Sequence, residues 1–542
     1  MTRKNWRAVA RGLTLGCRCN RPLRGSDKRS FGGLVAALLL SACAIACGTS
    51  SACGPTASQS SPATANLWLS GGNDLHNTRF QPSENLISPS NVGTLAPKWV
   101  QTVAGDVSAT PTTDGKSVYF PDWSGNLNAL DAATGEVVWQ KSVANYLGIP
   151  GVSRTSPAIV DNGASILIGA PVFGGPPARL VKIDSQTGAA LWATTVDQHP
   201  AATISSNPGY AENTVIVGVA SSEEAFAGNA NYPCCSFRGS VVAVDATTGG
   251  ILWKTYLEPD NGGLTGGYSG AAVWGSTPMI DVDRGLVYVA TGNNYSIPPS
   301  AAACELLTPG NAACYDPDNH IDSVVALDLS TGAIRWTYQA TYSDISNNGC
   351  LLGVNCESPR GPDDDFAQAP LLVDGPAGQE VFVGQKSGIG YAFNPDTGAL
   401  LWQTHVGSQL MWGSASDGCR IYVADQKNLA GTAGAWSALN PTTGKILWTT
   451  NDPGKLSDHA VTVGPVTVAN GVVYGSSEDV NGATMFGLDA ATGKILFSFN
   501  SGSSVAGGAS VANGVVYWGS GYSKFSSLTG NQKIFAFTPA GQ

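Results

Sequence analysis

A nine-residue frame recurs seven times along this chain, and it restricts the fold more than any other feature. It reads DAATGEVVW (Asp131–Trp139), DSQTGAALW (Asp184–Trp192), DATTGGILW (Asp245–Trp253), DLSTGAIRW (Asp328–Trp336), NPDTGALLW (Asn394–Trp402), NPTTGKILW (Asn440–Trp448) and DAATGKILF (Asp489–Phe497). A short β-branched or apolar run such as VVAV or VVAL precedes each copy. Asp or Asn with Thr-Gly supplies turn chemistry, the glycine being free to take positive φ. Each frame therefore reads as strand, tight turn, and strand ending in an aromatic ring. Upstream of most frames lies a further strand signal, such as SVYF, ILIG, VIVG, LVYVA or VFVG. Four strands per unit predict the blades of a β-propeller.

The two ends complete the count. KIFAFTP (Lys533–Pro539) occupies the third-strand position of a unit, and then the sequence stops. Leu95–Trp99 supplies a strand ending in Trp with no frame before it. Pairing these ends makes an eighth blade and removes the open sheet edge that an arc of blades would expose. The expected fold is all-β, a single eight-bladed β-propeller over residues 67–542, closed by its N- and C-terminal strands. The frame aromatics are read as packing between blades, so function belongs to whatever breaks the repeat. Frames two to five carry the long insertions, which elaborate one rim.

Composition agrees with this reading and narrows the partners. With 43% hydrophobic and 13% charged residues, 67 Gly and 31 Pro, the chain is neither disordered nor a helix bundle. Its net charge of −10 conceals an asymmetry: residues 1–33 hold nine basic side chains and one acidic. The remainder carries 20 Lys/Arg against 38 Asp/Glu, a net of −18. An acidic body argues against a nucleic-acid partner and suits an exported protein or one that binds a cation. The basic stretch and the 13-residue apolar run Leu34–Ala46 form an export signal over residues 1–47, too short for an ordinary membrane span. Leu40-Ser41-Ala42-Cys43 resembles a bacterial lipobox, with Cys43 lipidated; the alternative is cleavage after a small residue such as Ala46. A Ser/Thr/Pro/Ala linker follows over residues 48–66. The expected location is periplasmic or extracellular, with membrane attachment only through the lipid anchor. Cys304/Cys314 and Cys350/Cys356 read as loop-stapling disulfides, Cys234-Cys235 are adjacent, and Cys419 is left over. No C-x-x-C-H haem motif occurs.

The Trp-ending frames over eight blades resemble the pyrroloquinoline-quinone (PQQ) alcohol dehydrogenases. Within that superfamily the layout is most similar to the polyvinyl-alcohol dehydrogenases, from about Leu67 to the C-terminus. Non-enzymatic propellers of the outer-membrane assembly lipoprotein type share the frame, so the site residues must decide. VIVGVASSEEAFAG followed by FRGSVVAVD resembles the family segment whose glutamate binds calcium, which implies Glu223 with Glu224 as fallback. LVYVATGNNYSIP resembles the strand ending in T-G-N and implies Asn293 as a second ligand. Carboxylate and amide oxygens are what Ca²⁺ takes. SGAAVWGSTPMID implies Trp274 as the indole floor of the quinone site. The resemblance further implies Arg154 (GVSRTSPAI), Ser205 (ATISSNP) and Lys386 (GQKSGIGYAFNPDTG) as cofactor contacts, with Arg238 as another. The Cys234-Cys235 pair is either a lid over the quinone or a rigid turn.

WTYQATYSD (Trp336–Asp344) resembles the family stretch whose final aspartate takes the alcohol proton, implying Asp344 as catalytic base and metal neighbour. Asp364 and Asp365, in the acidic run after the Cys350/Cys356 insertion, are rivals. Lys386 would polarise the quinone oxygen and so act in catalysis. The implied activity is PQQ- and calcium-dependent oxidation of secondary alcohols, including polyvinyl alcohol. Electrons would pass to an external acceptor such as a cytochrome c. The alternative is a non-catalytic propeller lipoprotein acting as a scaffold or binding module.

Overall fold

The computed structural model describes residues 66–172, 177–275, 277–356, 358–524 and 527–542. The export signal, Cys43 and the linker as far as residue 65 lie outside the described residues. Eight blades form the ring, each with four antiparallel strands; Phe80–Gln81 adds a parallel fifth strand to the seventh sheet and Ala202–Thr203 a fifth to the third. Their innermost strands are Thr112–Thr113, Ala158–Val160, Gly209–Ala211, Met279–Asp281, Leu371–Gly375, Ala415–Ser416, Thr467–Ala469 and Ser510–Ala512, in blades 1 to 8. In blade 8 the outer strand is Leu95–Thr102, paired antiparallel with Lys533–Pro539 from Leu95 opposite Pro539 to Thr102 opposite Lys533. The ring closes through the two ends of the chain, as the terminal sequences predict.

The frame is an inter-blade lock, which explains its residues. In blade 1, Asp131 Oδ1 accepts the backbone N–H groups of Ala133 and Thr134 at 2.9 and 2.8 Å, fixing the turn. Gly135 then takes φ +78°, and a Cβ there would lie 2.7 Å from the Trp99 ring of blade 8. The Trp99 indole donates to Ala132 O at 3.1 Å, the residue after the frame Asp. The same bond runs from Trp139 to Ser185, Trp192 to Ala246, Trp253 to Leu329, Trp336 to Pro395, Trp402 to Pro441 and Trp448 to Ala490. Each indole thus caps the turn of the next blade. The seventh frame ends in Phe497 because blade 8 has no frame turn to receive an N–H. Phe497 packs instead edge-on against Phe537, ring centroids 5.9 Å apart. The apolar core is likewise a set of layers between blades, for example Val118, Phe120 and Leu130 against Val515, Tyr517 and Ile534.

Residues 67–81 add an element that the repeat does not announce. This segment bonds in chain order to the inner strands around the axis. Trp68 N–H and O pair with Thr113, and Leu69 O accepts Ile159 N–H. Leu75, His76, Thr78 and Arg79 carbonyls accept Ile280, Leu372, Ser416 and Val468 N–H groups at 2.9–3.0 Å. Gln81 Nε2 donates to Val511 O at 3.2 Å. Blades 1, 2, 4, 5, 6, 7 and 8 are all tied to one extended strip.

In an antiparallel blade, the loop joining the second and third strands opens on the same face as the link to the next blade. The insertions use that face: helix Glu223–Phe226 and the Cys234-Cys235 pair in blade 3, helix Pro299–Leu307 in blade 4, and helix Asn348–Leu352 between blades 4 and 5. Disulfides Cys304–Cys314 and Cys350–Cys356 staple the last two, and Cys234 is bonded to Cys235. Cys419 is disulfide-bonded as well, which corrects its reading as left over. No helix among the described residues is long and apolar enough to cross a membrane.

Candidate active site

The site is built where links between blades meet the insertions, and its centre is Asp365. This side chain is buried, and its Oδ2 accepts both the Trp274 indole N–H and the Lys386 ammonium at 2.9 Å. Its Oδ1 accepts Asn293 N–H at 2.7 Å. The neighbouring Phe366, fully buried in the core between blades 4 and 5, anchors the loop immediately after the carboxylate. Lys386 also pairs with Asp363 at 2.8 Å, and its Nζ lies 5.2 Å from the Trp274 ring centre. Burial alone would lower the lysine pKa, yet Asp365, Asp363 and Glu224 hold it above its usual value. It is therefore a permanent cation at neutral pH.

Asp344 sits behind this group. It is fully buried, and its two oxygens accept Asp363 N–H at 3.0 Å and Asp364 N–H at 2.6 Å. Burial pushes its pKa up to about 6 against those donors, and Asp365 adds to the rise. Asp344 thus holds the backbone that presents Asp365. Of the acids weighed, Asp365 is the one joined to Lys386, Trp274 and Asn293. Asp322 lies beside Asp344, fully buried, and its pKa is raised by burial and then by Asp344. Asp363 and Asp364 are raised by burial and by Asp365.

Glu223 is also satisfied from within. Its carboxylate accepts Ser236 N–H at 3.0 Å, Phe237 N–H at 2.8 Å, Tyr232 Oη–H at 3.2 Å and Ser269 Oγ–H at 3.3 Å. Through these bonds it fastens the loop just after the Cys234-Cys235 pair. Glu224, one residue on, is half-buried, and burial pushes it up to about 7, with Asp365 raising it and Lys386 lowering it. The fallback glutamate is therefore the one in electrostatic contact with the centre. Asn293 donates Nδ2–H to Asn294 O and Ser346 O, both at 2.6 Å. Among the described residues, no cluster of three or more His, Cys, Asp or Glu has metal-binding geometry.

The remaining expected contacts divide. Trp274 meets Trp412 edge-on, centroids 5.2 Å apart, and the Arg154 guanidinium lies 4.1 Å over the Trp412 ring. Ser205 donates to Trp274 O at 3.0 Å, so it holds the indole's backbone. Cys234 and Trp274 pack on one apolar cluster, in which Cys235 is fully buried. Arg238 does not join them. It pairs with Asp260 at 2.9 Å, stacks 4.0 Å over Tyr256 and lines a separate cavity with His199 and Lys254. Trp412 and Arg79 escaped the sequence reading. Trp412 is an indole outside every frame, on a link between blades like Trp274, and that position was the available signal. It holds φ +65°, a conformation that costs a bulky residue about 1–3 kcal/mol and clusters at functional sites.

Comparison with known proteins bears on the fold and the family. The family described as glucose/ethanol/alcohol dehydrogenase, β-propeller domain, matches residues 68–405. A second, the outer membrane protein assembly factor BamB family, matches residues 385–540, the stretch lacking the long insertions. The chain is 33% identical to a polyvinylalcohol dehydrogenase of Pseudomonas sp over 503 residues, covering 85% of this chain and 74% of the relative. It is 32% identical to the polyvinylalcohol dehydrogenase of Sphingopyxis sp. (strain 113P3) over 521 residues, covering 87% and 75%. In fold it matches the crystal structure of quinohemoprotein alcohol dehydrogenase from Comamonas testosteroni, with TM-score 0.66, 18% identity and coverage of 89% and 81%. A carboxylate locked to a lysine and an indole on an eight-bladed ring, together with these relatives, shows that the chain belongs to the PQQ-dependent alcohol dehydrogenase family.

Proposed function

We propose that this protein oxidises secondary alcohols, polyvinyl alcohol among them, to ketones with PQQ and Ca²⁺, and that an external carrier takes the electrons. The observation that carries the reading is Asp365, held at 2.9 Å by both Lys386 and Trp274. The donor set suits a flat, anionic quinone: the Trp274 ring for stacking, with the Lys386 and Arg154 cations for its charge. It also suits a hard cation. Asp344, Asp363, Asp364 and Glu224 all hold protons more tightly than free carboxyls do, and among the described residues Lys386 is the one lysine paired in this group, through Asp363. A divalent ion offsets such an excess of acid. Glu224, Asp365 and the Asn293 amide oxygen would hold it.

PQQ, when bound, supplies the two-electron acceptor that receives hydride from the carbinol carbon. The chain supplies the proton chemistry and the positioning. Asp365 takes the hydroxyl proton on a carboxylate oxygen, and Lys386, 2.9 Å away, holds that carboxylate in place before the alcohol arrives. The Trp274 indole and Asn293 N–H fix both oxygens, so the base is aimed before substrate binds. Lys386, 5.2 Å from the Trp274 ring centre, would also offer a bound quinone a fixed positive charge. Asp344 does no proton transfer here; it sets the loop.

An oxidising compartment outside the cytosol, reached through the export signal, accords with the stapling disulfides. The test is reconstitution of the full chain with PQQ and CaCl₂, followed by dye-linked oxidation of propan-2-ol, pentane-2,4-diol, polyvinyl alcohol and matched primary alcohols. Ketone formation, lost on chelation and restored by Ca²⁺, is expected. Bound quinone with no turnover of any alcohol would overturn the proposal.

A further inference from the structure

A second cluster of acids lies on the half of the ring without long insertions, at the joint between blades 6 and 7. Asp452 follows the outer strand Ile446–Asn451 of blade 6, and Asp479 stands in the loop between the second and third strands of blade 7. Both side chains are buried, at 3% exposure each. Asp452 Oδ1 accepts Gly454 N–H at 2.8 Å, while its buried Oδ2 has no hydrogen-bond partner. Asp479 Oδ1 accepts the N–H groups of Asn481 and Gly482 at 2.7 and 2.9 Å. Its other oxygen faces bare backbone: a Cβ at Gly454 or Gly482 would collide with it, and the Gly454 Cβ would stand 3.1 Å from Asp452 Oδ1. Ser477 Oγ accepts Asp479 N–H at 3.2 Å and acts on Asp452 as well. Asp458 ties the two loops together, its carbonyl accepting Val480 N–H at 2.9 Å and its Oδ1 accepting Asn481 Nδ2–H at 3.2 Å.

Neither Asp452 nor Asp479 makes an ion pair among the described residues, although a buried charge is costly unless it is paired. Blade 2 shows the paired counterpart. Asp197 ends the outer strand Ala190–Asp197, and its Oδ1 accepts the N–H two residues on, at His199. Its Oδ2 is paired with Lys254 of blade 3. Asp452 repeats the first bond and lacks the second, because blade 7 brings a carboxylate to it where blade 3 brings a lysine. Burial raises the Asp452 pKa, and Asp479 adds to the rise. Two carboxylates, a hydroxyl and irregular backbone make an oxygen-only lining, which is the donor chemistry of a hard cation. Calcium accepts about six to eight such oxygens in a flexible geometry, whereas magnesium demands a near-ideal octahedron.

We propose that Asp452 and Asp479, with the Ser477 hydroxyl and backbone oxygens of the two loops, bind one calcium ion that fastens blade 6 to blade 7. The ion brings from solution the positive charge that Lys254 brings to Asp197. Its role is structural, and it takes no part in alcohol oxidation: Glu224, Asn293 and Asp365 belong to blades 3 and 4 and the link to blade 5. With two carboxylates the affinity falls in the weak range of extracellular calcium modules, on the order of 10⁻⁴–10⁻³ M. Binding is read without quinone and without turnover, so failure here leaves the alcohol reading standing, and the converse holds too.

The test uses the full chain without PQQ, stripped of metal with EDTA and dialysed. Crystals soaked in TbCl₃ should show an anomalous peak between Asp452 and Asp479. In solution, about 10 mM CaCl₂ should raise the melting temperature by about 1–3 °C over NaCl of the same ionic strength. That rise should vanish in Asp452→Asn and in Asp479→Asn, and persist in Asp365→Asn. Each of the first two variants loses a repelling charge; should one not fold, the other carries the comparison. A rise that persists in Asp452→Asn and vanishes in Asp365→Asn places the ion at the active site alone and overturns the proposal. Equal melting in CaCl₂ and NaCl, or no terbium between the two aspartates, overturns it too.

Discussion

Exchanging each carboxylate for its amide, Asp365→Asn and Asp344→Asn, separates the base from the residue that positions it. Asp365→Asn keeps shape and volume but removes the acceptor charge 2.9 Å from Lys386 and the Trp274 indole. General-base catalysis contributes about 10²–10⁴-fold, so kcat should fall by roughly 10³, or about 4 kcal/mol in the barrier. Asp344→Asn acts at one remove. Its two oxygens accept Asp363 and Asp364 N–H groups, and an amide can accept only one of them. The lost bond to a charged acceptor is worth about 1.5–3 kcal/mol, which displaces the loop carrying Asp365 and lowers kcat by about 10- to 100-fold. Quinone content and melting temperature are measured alongside the dye-linked rate, so that loss of cofactor or fold is not mistaken for loss of chemistry. Chemical rescue gives the sharper contrast. Formate should restore part of the activity of Asp365→Ala, because a free carboxylate can replace a base, and should not restore Asp344→Ala. If Asp365→Asn keeps more than a tenth of wild-type kcat while Asp344→Asn loses three orders of magnitude, the assignment is reversed and the reasoning from geometry fails.

Other positions test the electrostatics and the lock. Lys386→Met should cost about 10²–10³ in kcat through loss of the fixed charge, with Lys386→Arg restoring part of it; an unchanged rate in steady-state kinetics would remove Lys386 from the mechanism. Asp425, buried in blade 6, accepts Ser408, Gln409 and Lys427 N–H groups all on Oδ1, while its Oδ2 has no partner. Burial pushes its pKa up to about 6 from 3.8, so the folded state binds the proton more tightly, and this stabilisation is lost as pH rises from about 4 to 6. Asp425→Asn should abolish that loss and be about 3 kcal/mol more favourable relative to wild type at pH 7 than at pH 3.5; parallel urea-unfolding curves at the two pH values would refute it. Gly493→Val, which sets a Cβ 2.6 Å from the Trp448 ring at φ +74°, should destabilise by about 2–4 kcal/mol. Gly148→Ala, at the same φ in open space, should cost about 1 kcal/mol; similar urea midpoints for the two would deny the lock.

The fold was readable because the frame is a contact between blades written twice. The Asp–Thr-Gly turn offers a carbonyl and a bare Cα, and the preceding blade's Trp fills both. A chain that repeats both halves seven times specifies neighbours as well as strands, and the one Phe marks the blade without a turn. The strip 67–81 had no such signature. Its bonds are backbone carbonyls to inner strands, which any sequence can make, so SGGNDLHNTRFQ reads only as a polar lead-in.

The same distinction runs through the site. Arg154, Trp274 and Lys386 stand on blade strands' ends or on links whose distance from a frame is set by the sheet, and the structure puts Trp274 and Lys386 at the centre with Arg154 on the axis beside them. Glu223 and Asp344 stand in insertions, where nothing fixes which way a side chain points. One residue along the helix after Thr214–Ser221 exchanges a carboxylate held by Ser236 and Phe237 N–H groups for one that senses Asp365 and Lys386. In the acidic run after Cys356, three consecutive aspartates are equivalent as letters. What separates them is Phe366, whose burial between blades 4 and 5 fixes the loop one residue after Asp365 and sends that carboxylate to the indole. The informative letter beside the proposed base was therefore the apolar one, because burial sets direction where an insertion leaves it free.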